Sequence, residues 1–553
     1  MHLPNTVFRG ELYGLIFHMT VHGDLSFDRG ARFHHWNGTS RYFTQIRVLG
    51  DQPNGNYNGD MNLAPSESYV FDSYYSNWYP ATSTNAQYNS IVEVVGTLNG
   101  TGTCQAPVVI RTLTGNPMTW QLNQTNLSFA FVEGMENIGP TATFNNSIDG
   151  TGNSNVVFNT VGTGTALYWR AHHSNPADFE GDWGDPGHWT SNPASPVGDS
   201  ACVPSILDTA IMDAQSFSAT SNGVTIDDVA LCRTWWIRDD IRLLSSNLNL
   251  PLGHIFINES LLIDVALTQN DYTGQMSFIG LGGTIRTSGT TLVNNFIDLR
   301  STAATWDLDD GLVLENRHNI RHGFLRLISG TLRTNNHPLD LYNSFTSRSN
   351  ENRRLELGLS EVTLRCLGRW VDNNNNYPWF ISNGARNISV DGRNSRIYAM
   401  DNLGLNNAAV LFYMGYDSLT LRTTINNGGY TNSIRYGEVH IDRPTYVSQI
   451  YGYADYRHLH LNGDAFVAQS NVVDSIELDG GHVYRFNRNT EQHLRSPHGK
   501  IISNGSASNF GKLETNPVGE VAYCHKEWGD YFCLDYIKVK DNTATKGINP
   551  NTE

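Results

Sequence analysis

The sequence predicts an all-β protein made of right-handed parallel β-helix segments joined by a small aromatic-rich β junction. From Gly253 onward, apolar runs of about four to six residues recur roughly every 15–30 residues, and most alternate with polar or glycine positions. Residues 458–461, which read HLHL, are one example. Asn, Gly and Asp fill the gaps, and no segment has the apolar spacing of a crossover helix.

The connections between these runs favour a solenoid over the alternative, tandem β-sandwiches. Sandwich hairpins would show two-residue turns such as Asn-Gly between paired strands. Here the connections are irregular and rich in Asn, which is typical of coils that bend around a solenoid and stack their Asn side chains. The inward positions of successive coils are then expected to form one continuous core of Leu, Ile, Val and Phe.

Composition excludes several classes of function. The 553 residues carry a formal net charge of −16, which disfavours nucleic acid and anionic membranes as partners because both require a basic face. Aromatic residues make up 11% of the chain and charged residues 16%, a balance that argues against disorder. No run of about 18 apolar residues occurs, so no membrane insertion is expected.

Residues 1–162 are predicted to be the C-terminal part of one β-helical repeat, because positions in them recur late in the chain. The first recurring set is Pro4, Val7, Tyr13, His18, Gly23 and Asp24, which match Pro444, Val447, Tyr453, His458, Gly463 and Asp464 at the same spacing. The second set is Phe129, Phe131, Val132, Glu136 and Asn137, which correspond to Leu534, Tyr536, Ile537, Asp541 and Asn542. The order is preserved, so one repeat of about 400 residues is predicted.

The opening residues, MHLPN, lack the basic and apolar regions of a signal peptide. Together with the recurring positions, this indicates a piece of a longer chain. Residues 251–553 are predicted to be the β-helix of the next repeat, truncated before its end.

Residues 163–250 are predicted to form the junction. Tyr168, Trp169, Trp183 and Trp189 sit among Gly, Pro, Asp and Asn, which interrupt any long helix or strand. Tryptophan side chains can bury a large apolar area between such loops. Short alternating strands follow, and Trp235 and Trp236 come just after them.

This junction resembles a recurring module of giant secreted surface proteins of gliding and filament-bearing Bacteroidota. The residues that carry the resemblance are Tyr168, Trp169, Gly181, Asp182, Trp183, Asp185, Pro186, His188, Trp189, Cys202, Pro204, Asp213, Phe217, Ile226, Asp227, Cys232 and Arg233. In those proteins the module opens a long stretch of repetitive β-structure, and they serve as adhesins or extracellular fibres exported by the type IX pathway. One departure is the Arg-Ala-His-His-Ser segment after the Tyr-Trp pair, where small residues are usual.

Two disulfides are expected if the chain is exported. Cys202 and Cys232 bracket the short strands of the junction and are predicted to pair, as are Cys524 and Cys533. Cys104 and Cys366 would then be free and would fill the core as small hydrophobic residues. The resemblance also implies O-linked glycans at Asp-(Ser/Thr)-apolar triplets, whose acceptors here are Ser200, Thr209, Ser418 and Ser475.

The sequence predicts no catalytic constellation and no cofactor. It offers one candidate metal site. Asp178, Glu180, Asp182 and Asp185 could bind calcium, although turn formation explains the same residues. Adjacent histidines, as at 34–35 and 172–173, point to opposite faces of an extended chain and therefore predict no transition-metal site. The acidic cluster at 307–310 could hold a polysaccharide-cleaving carboxylate pair, but a solvated turn before Gly311 is the preferred interpretation.

The predicted function is that of a non-enzymatic structural or adhesive repeat of an extracellular surface protein, used for attachment to surfaces or other cells in gliding or in prey or substrate capture. Its predicted partners are neighbouring repeats, surface glycans and further copies that bundle into a fibre. Trp183, Trp189, Trp235 and Trp236 are expected to cover coil ends where repeats meet. The alternatives are a β-helical polysaccharide-degrading enzyme and a carbohydrate-binding module that uses the aromatic residues at 74–79 or 377–380.

Overall fold

The structure, a computed structural model, describes most of the chain. The described residues are 2–8, 11–14, 17–27, 32–35, 44–49, 60–64, 68–70, 91–104, 107–111, 118–150, 152–159, 164–170, 180–199, 201–217, 223–226, 229–244, 253–268, 272, 274–280, 282–293, 296–315, 324–342, 344–347, 349, 351–365, 376–381, 387–400, 410–414, 434–442, 447–495, 499–526 and 536–546. They form an all-β protein, as the sequence predicts, with a single 3₁₀ turn at Pro186–His188. None of them belongs to a helix long and apolar enough to cross a membrane.

The chain divides into two compact units. Unit 1 is Met1–Arg233 with His254–Phe256, and unit 2 is Thr234–Gly253 with Ile257–Glu553. The segment predicted as the junction, 163–250, therefore contributes to both: its residues up to Arg233 belong to unit 1, and Trp235 and Trp236 belong to unit 2.

The first fifteen strands of unit 1 are β1 (His2–Phe8), β2 (Glu11–Gly14), β3 (Phe17–Phe27), β4 (Arg32–His35), β5 (Thr44–Val48), β6 (Met61–Leu63), β7 (Ser68–Val70), β8 (Ile91–Thr101), β9 (Val108–Arg111), β10 (Met118–Ser128), β11 (Ala130–Val132), β12 (Met135–Asn137), β13 (Ala142–Asn145), β14 (Ile148–Asp149) and β15 (Val156–Asn159). The next strands are β16 (Ala166–Trp169), β17 (Glu180–Asp182), β18 (Trp189–Thr190), β19 (Thr209–Met212) and β20 (Gly223–Thr225). Two strands have residues in both units, β21 (Val229–Ile237) and β23 (His254–Ile263).

The strands of unit 2 are short and closely spaced. They are β22 (Arg242–Leu244), β24 (Gln275–Phe278), β25 (Gly282–Arg286), β26 (Thr291–Val293), β27 (Phe296–Leu299), β28 (Thr305–Leu308), β29 (Leu312–Glu315), β30 (Phe324–Leu327), β31 (Gly330–Arg333), β32 (Leu339–Leu341), β33 (Ser344–Ser347), β34 (Arg353–Glu356), β35 (Glu361–Leu364), β36 (Asn376–Ile381), β37 (Ile388–Met400), β38 (Val410–Tyr413), β39 (Ile434–Asp442), β40 (Ser448–Tyr451), β41 (Asp455–Asn462), β42 (Ala465–Val467), β43 (Asn471–Asp479), β44 (Val483–Asn487), β45 (Glu491–Leu494), β46 (Lys500–Asn504), β47 (Gly511–Asn516), β48 (Ala522–Lys526), β49 (Ile537–Val539) and β50 (Asn542–Lys546).

The described residues between positions 2 and 159 of unit 1 form a stack of parallel coils. One sheet contains β1, β3, β5, β6, β8, β10, β12, β13 and β15, and the other contains β2, β4, β7, β9, β11 and β14. Val21, Val48, Val94 and Leu122 of successive coils face one another in register and are all buried. Their burial supplies the hydrophobic driving force that holds coil on coil.

Unit 2 has three parallel sheets, because each chain turn contributes one strand to each. Sheet 1 contains β24, β27, β30, β33, β36, β38, β40, β42, β44, β47 and β49. Sheet 2 begins with β25, β28, β31 and β34 and ends with β45, β48 and β50. Sheet 3 begins with β26, β29, β32 and β35 and ends with β46. Between these, β37, β39, β41 and β43 each belong to sheet 2 with their first residues and to sheet 3 with their last.

This strand order is that of a parallel β-helix, and it excludes the alternative of tandem β-sandwiches. Sandwiches are built from antiparallel strands, whereas the pairs in both stacks are parallel in the part of the chain that the structure describes. The right hand of the coil stays a prediction.

Period-two alternation explains why these sequences form such coils. Along sheet 3, the inward positions are stacked in register and are buried: Leu314, Leu341, Leu364, Ala399, Ile441, Leu461 and Leu478. The residues between them point outward, because successive side chains of a strand face opposite sides of the sheet. The predicted continuous aliphatic core is therefore confirmed.

A ladder of polar side chains runs along register partners of β3, β6 and β8. Asn99 Nδ2 donates to Asn62 Oδ1 of the adjacent coil at 3.0 Å, and Asn62 Nδ2 donates in turn to Ser26 Oγ at 3.1 Å. Asp24 accepts a hydrogen bond from the backbone N–H of Asp60 at 3.0 Å. The Asp24 bond satisfies a backbone N–H group beside a bend of the stack, whereas the Asn ladder connects outward side chains of adjacent strands.

One fully buried carboxylate on β27 belongs to an ionic cluster. Asp298 receives hydrogen bonds from Arg300, from Arg326 of the next coil, and from Gln275 Nε2 at 2.6 Å. Burial raises the pKa of Asp298, but the two guanidinium groups outweigh it, so the pKa lies below its usual range. The carboxylate therefore stays ionised in the folded protein.

We expect Asp298→Asn to lower the free energy of unfolding of unit 2 by about 3–5 kcal/mol, because it removes the buried carboxylate charge that faces both guanidinium groups. The matched control is Asp340→Asn, whose partner Arg365 is more exposed, so a loss of about 1 kcal/mol or less is expected. Both losses of stability are measured by denaturant unfolding, with hydrogen exchange in peptides of unit 2 as the signal.

The same variant has a pH signature. Because the pKa of Asp298 is lower in the folded protein than in the unfolded chain, its ionised carboxylate stabilises the fold. This stabilisation is complete at pH values above the unfolded-state pKa of about 3.9, and it is lost as the pH falls through the folded-state pKa. The wild type should therefore lose more stability than Asp298→Asn between neutral pH and pH values below about 4. Equal acid sensitivity of the two proteins would contradict the assignment.

Candidate functional site

The part of the predicted junction that belongs to unit 1, which we name the tryptophan module, contains a packed aromatic cluster. β16 pairs with β18 in an antiparallel arrangement that sets Trp169 opposite Trp189. The Trp189 ring lies edge to face against Trp169 at 5.2 Å and Trp183 at 5.0 Å, and its Nε1 donates to Trp183 O at 2.9 Å. All three are almost completely buried, whereas Tyr168 is only partly buried. Three of the predicted packing tryptophans thus form one core.

Arg170 is the residue that organises the loops around this core. It is completely buried, donates to the carbonyl oxygens of Ser195 at 2.6 Å and Pro193 at 2.8 Å, and forms an ion pair with Asp213 at 3.0 Å. Arg170 is the first residue of the segment that departs from the resembling module. Its side chain ties together backbone that has no regular partner, which is why a large charged residue is accommodated there.

Steric contact explains why the Gly-Asp-Trp motif begins with a glycine. A Cβ atom on Gly181 would lie 2.3 Å from the His188 ring, so only glycine allows the histidine to approach this strand. His188 stacks on Trp169 with ring centroids 4.5 Å apart, and its Nδ1 lies 2.9 Å from Arg170 O. The motif residues therefore serve packing.

Two members of the predicted calcium set cap their own turns. Asp182 accepts from Gly184 N at 3.0 Å and Asp185 from Gly187 N at 2.8 Å, and both side chains are exposed. Asp178 and the side chain of Glu180 lie outside the described residues. Within the described part of the chain, the groups of metal-ligand type lie elsewhere, and calcium binding stays a prediction.

The predicted disulfide pairing is wrong. Cys202 is bonded to Cys104, with Cα atoms 5.1 Å apart, although the two residues are 98 positions apart in sequence. Cys232 is a free, buried thiol on β21, and its Sγ lies 4.0 Å from Phe256 O. The short loop suggested the Cys202–Cys232 pair, but strand β21 turns Cys232 into the core and away from Cys202.

The second predicted disulfide also fails. Cys524 is a free, buried thiol on β48, and burial raises the pKa of this thiol to about 12. Its predicted partner Cys533 and the predicted core residue Cys366 lie outside the described residues. A thiol with such a pKa is protonated and chemically inert.

The predicted glycan acceptors lie in different environments. Thr209 Oγ1 accepts a hydrogen bond from Arg233 at 3.0 Å, and Ser475 Oγ lies 2.7 Å from His458 Nδ1. Ser200 and Ser418 lie outside the described residues. Glycosylation at these positions stays a prediction.

Among the aromatic and acidic candidates of the sequence, the described residues include one core tryptophan and one turn aspartate. Trp379, in the 377–380 cluster, is buried and its Nε1 donates to Tyr436 OH at 3.1 Å, so it belongs to the core. The 74–79 cluster lies outside the described residues. In the acidic cluster, Asp310 accepts from Thr287 N at 2.9 Å, which agrees with the preferred interpretation as a turn.

A cluster of titratable side chains covers the outer side of sheet 3 in unit 2. We name it the histidine face, and it consists of Glu438 and His440 on β39, His458 and His460 on β41, and Glu477 and Asp479 on β43. Inward Val439, Leu459 and Ile476 anchor the same three strands in the core. The alternation of the strands places all six polar side chains on the outside.

Parallel register brings these side chains into contact across coils. His440 faces His460, and His460 faces Glu477. His458 Nε2 lies 3.0 Å from Glu477 Oε2, and His460 Nε2 lies 3.1 Å from Asp479 Oδ2. The two histidines of one strand therefore each contact a carboxylate of the next.

Charge is distributed unevenly over the histidine face. Glu438 is held by Arg457 at 2.6 Å and Arg396 at 3.2 Å; burial raises its pKa, but these arginines lower it by more, so it lies below the usual range. Burial, together with neighbouring His460, lowers the pKa of His440 below its usual value. Among the described residues, no arginine or lysine forms an ion pair with Glu477 or Asp479.

A second group of similar chemistry lies on sheet 2. Glu491 and His493 on β45 face Tyr523 and His525 on β48, and the two imidazole rings are 4.9 Å apart. His493 Nδ1 lies 3.4 Å from Glu491 Oε1. This group and the set His460, Glu477 and Asp479 each have their ligand-type atoms within 4.8 Å of one another.

The histidine face was not among the predicted sites, although the sequence carries a signal for it. The pairs His458 and His460, and Glu477 and Asp479, each occupy alternate positions of an alternating run. That spacing indicates one face of a strand, whereas the adjacent histidines considered first point to opposite faces. Which strand lies beside which depends on coil lengths, and these are irregular.

Comparisons of this chain with protein-family models, with curated proteins and with solved structures find no match in any of the three. The class that the structure defines is therefore one of fold, an all-β protein with stacked parallel coils.

We expect peptide mapping under non-reducing conditions to recover Cys104 linked to Cys202. Replacing both by Ser should lower the free energy of unfolding of unit 1 by about 4–5 kcal/mol in the chain-entropy picture, because the closed loop is long. The control is reductant, which should destabilise the wild type to the same level and leave the double variant unchanged. A linkage of Cys202 to Cys232 would contradict the structure.

Proposed function

We propose that this chain is a structural and adhesive repeat of an extracellular surface protein or filament, as the resemblance of its tryptophan module implies. Its work would be to hold a stiff, outward-facing polar surface at a distance and to attach it to surfaces, glycans or other cells. The stacked coils support this proposal, because a solenoid extends by adding coils without forming a new core.

The observation that carries the proposal is a pair of equivalent aspartates in the two stacks. Asp24 Oδ1 accepts from the backbone N–H of Asp60 in the next coil at 3.0 Å, and Asp464 Oδ1 accepts from that of Val483 at 2.8 Å. The two aspartates are partners in the recurring positions of the sequence. Their shared role supports a duplicated architecture rather than a chance similarity of short runs.

The residues around these aspartates also correspond. Val21 and Leu461, three residues before each aspartate, are buried, and so are Leu25 and Ala465 directly after each. In unit 1 the residues of β3 before Asp24 pair with β5 and those after it pair with β6. In unit 2, β41 before Asp464 pairs with β43, and β42 after it pairs with β44. Both stacks therefore bend at the same place.

The second recurring set has a structural counterpart shifted by two residues from the sequence alignment. Phe129 and Tyr536 both have positive φ, at 49° and 54°. Phe129 O accepts from Val108 N and Tyr536 O from Gly511 N, each at 3.0 Å and each at the first residue of a strand. The backbone thus favours pairing Phe129 with Tyr536 rather than with Leu534.

The compartment is supported by covalent chemistry. The Cys104–Cys202 disulfide points to an oxidising environment, because disulfides persist outside the cytosol and are rare within it. An extracellular position agrees with the acidic surface of the chain.

Adhesion is tested with the full chain coated on beads. We expect an adhesive repeat to attach to a glycan array or to cells. The attachment should not change on prolonged incubation, and no glycan fragments should be released. Release of shortened polysaccharide would overturn the proposal in favour of a β-helical enzyme. Absence of attachment to any surface would remove the adhesive part of it.

We expect Asp24→Ala and Asp464→Ala to have matched local effects. Each removes a charged acceptor, worth about 1–2 kcal/mol at a partly exposed corner, so the amides of Asp60 and Val483 should each exchange hydrogen about 5–30 times faster. The control is Asp442→Ala, whose carboxylate accepts from the Asn462 side chain and should leave both amides unchanged. Protection lost at only one of the two amides would contradict equivalence.

A further inference from the structure

We propose that His458, His460, Glu477 and Asp479 form a binding site for one divalent transition metal ion, with Zn²⁺ as the best fit. The site lies on the histidine face, between strands β41 and β43 of adjacent coils. It is independent of the adhesive function proposed above.

Each histidine of the site already contacts one carboxylate of the next strand. The carboxylate oxygens Glu477 Oε2 and Asp479 Oδ2 lie 3.0 Å and 3.1 Å from the Nε2 atoms of His458 and His460. The ligand-type atoms of His460, Glu477 and Asp479 lie within 4.8 Å of one another. Zinc–ligand bonds of about 2.0–2.2 Å hold their ligand atoms a little over 3 Å apart, which agrees with the two nitrogen–oxygen distances. Binding then requires the two histidine–carboxylate pairs to close around one ion.

The groups behind the ligands hold them in this orientation. His458 Nδ1 lies 2.7 Å from Ser475 Oγ, and His460 Nδ1 lies 3.2 Å from His440 Nδ1. Each imidazole thus has a partner on its far nitrogen and presents Nε2 to the site. Such outer contacts are the usual accompaniment of histidine ligands, because they set the tautomer and the ring orientation.

The two carboxylates are oriented in the same way from the next coil. Asn504 Nδ2 donates to Asp479 Oδ1 at 2.9 Å and also contacts Glu477 Oε1. One amide therefore binds the outer oxygen of both carboxylates and leaves Oε2 and Oδ2 directed at the histidines. Ion pairs between the histidines and the carboxylates alone would not require the Asn504 amide to bridge the two carboxylates.

Charge favours a cation at this position. Arg396 and Arg457 neutralise Glu438, but among the described residues no arginine or lysine forms an ion pair with Glu477 or Asp479. With neutral imidazoles the four ligands carry two negative charges, which match a divalent ion. Two nitrogen and two oxygen ligands fall within the donor set that zinc accepts.

The site is not a by-product of coil geometry. In unit 1 the strand that corresponds to β41 carries His18 and Thr20, which face Gln45 and Arg47 of the next coil. Arg47, which takes the place of Glu477, pairs with Glu93 at 2.5 Å. The same fold without the metal ligands thus uses an ordinary ion pair, and the constellation is specific to two adjacent coils of unit 2.

The expected consequence of binding is a clip between coils. The ligands lie on two strands whose backbones are already paired, and their side chains are 18–24% exposed, so an ion can enter from solvent. An ion that binds the folded chain and not the unfolded one stabilises it by mass action.

The test uses the full chain, stripped of metal with a chelator and titrated with Zn²⁺ in competition with a fluorescent indicator. We expect one zinc ion to be lost, relative to wild type, in the double variant His460→Ala/Asp479→Asn. Asn504→Leu should retain the ligands and bind zinc about 10–100 times more weakly. Controls are Asp442→Asn, which removes a charge from the same sheet, and His482→Ala, which removes a histidine that directly precedes β44. Both variants should bind zinc as the wild type does.

Cobalt provides a second readout that does not depend on stability. Co²⁺ in the wild-type site should give the visible absorption of a tetrahedral complex, and the double variant should lack that absorption. The Glu491→Gln/His525→Ala variant tests whether the absorption comes from the second group, Glu491, His493 and His525. This variant should keep the absorption. Equal zinc stoichiometry and affinity in the wild type and in His460→Ala/Asp479→Asn would overturn the proposal, as would a wild type that binds no zinc.

Discussion

Parallel register between successive coils is the constraint on which the rest of this structure depends. Once Val439 faces Leu459 and Leu459 faces Ile476, every second residue of each strand is committed to the core and the others to solvent. A shift by one residue would exchange the two sets, which the buried aliphatic columns forbid. Outward side chains therefore form columns as regular as the inward ones, and any chemistry on the surface arises from that alignment.

The same constraint explains where polar groups are buried. Corners interrupt the ladder of backbone hydrogen bonds, so side chains must replace it. Asp24, Asp310 and Asp464 do this by accepting backbone N–H groups of a neighbouring coil. Asp298 differs, since it sits within a strand and requires two arginines to remain charged. These four aspartates thus serve either a bend or a counter-ion.

The tryptophan module is held together by different means from the stacks. Its strands are short, and the loops between them contribute most of its backbone. Three buried tryptophans supply apolar area, and Arg170 satisfies carbonyl groups that no strand pairs. The disulfide from Cys202 adds a covalent connection to the first stack of unit 1 at Cys104. Aromatic packing, one buried arginine and one disulfide thus take the place of a ladder.

The sequence by itself determined the elements, because alternation is a local property. The period of two in residues 458–461 predicts a strand with one apolar face, and irregular Asn-rich connections predict coils rather than hairpins. The aromatic motif from Tyr168 to Trp189 likewise indicates a packed core before any contact is known. These features require only neighbouring residues to be read.

Tertiary structure alone decided the partners. Cys202 pairs with Cys104 rather than with the nearer Cys232, because strand β21 directs Cys232 inward. His460 meets Asp479 and His440 because coils of unequal length bring β39, β41 and β43 side by side. Each of these contacts joins residues whose separation along the chain follows no fixed period, so only the folded arrangement of the coils determines them.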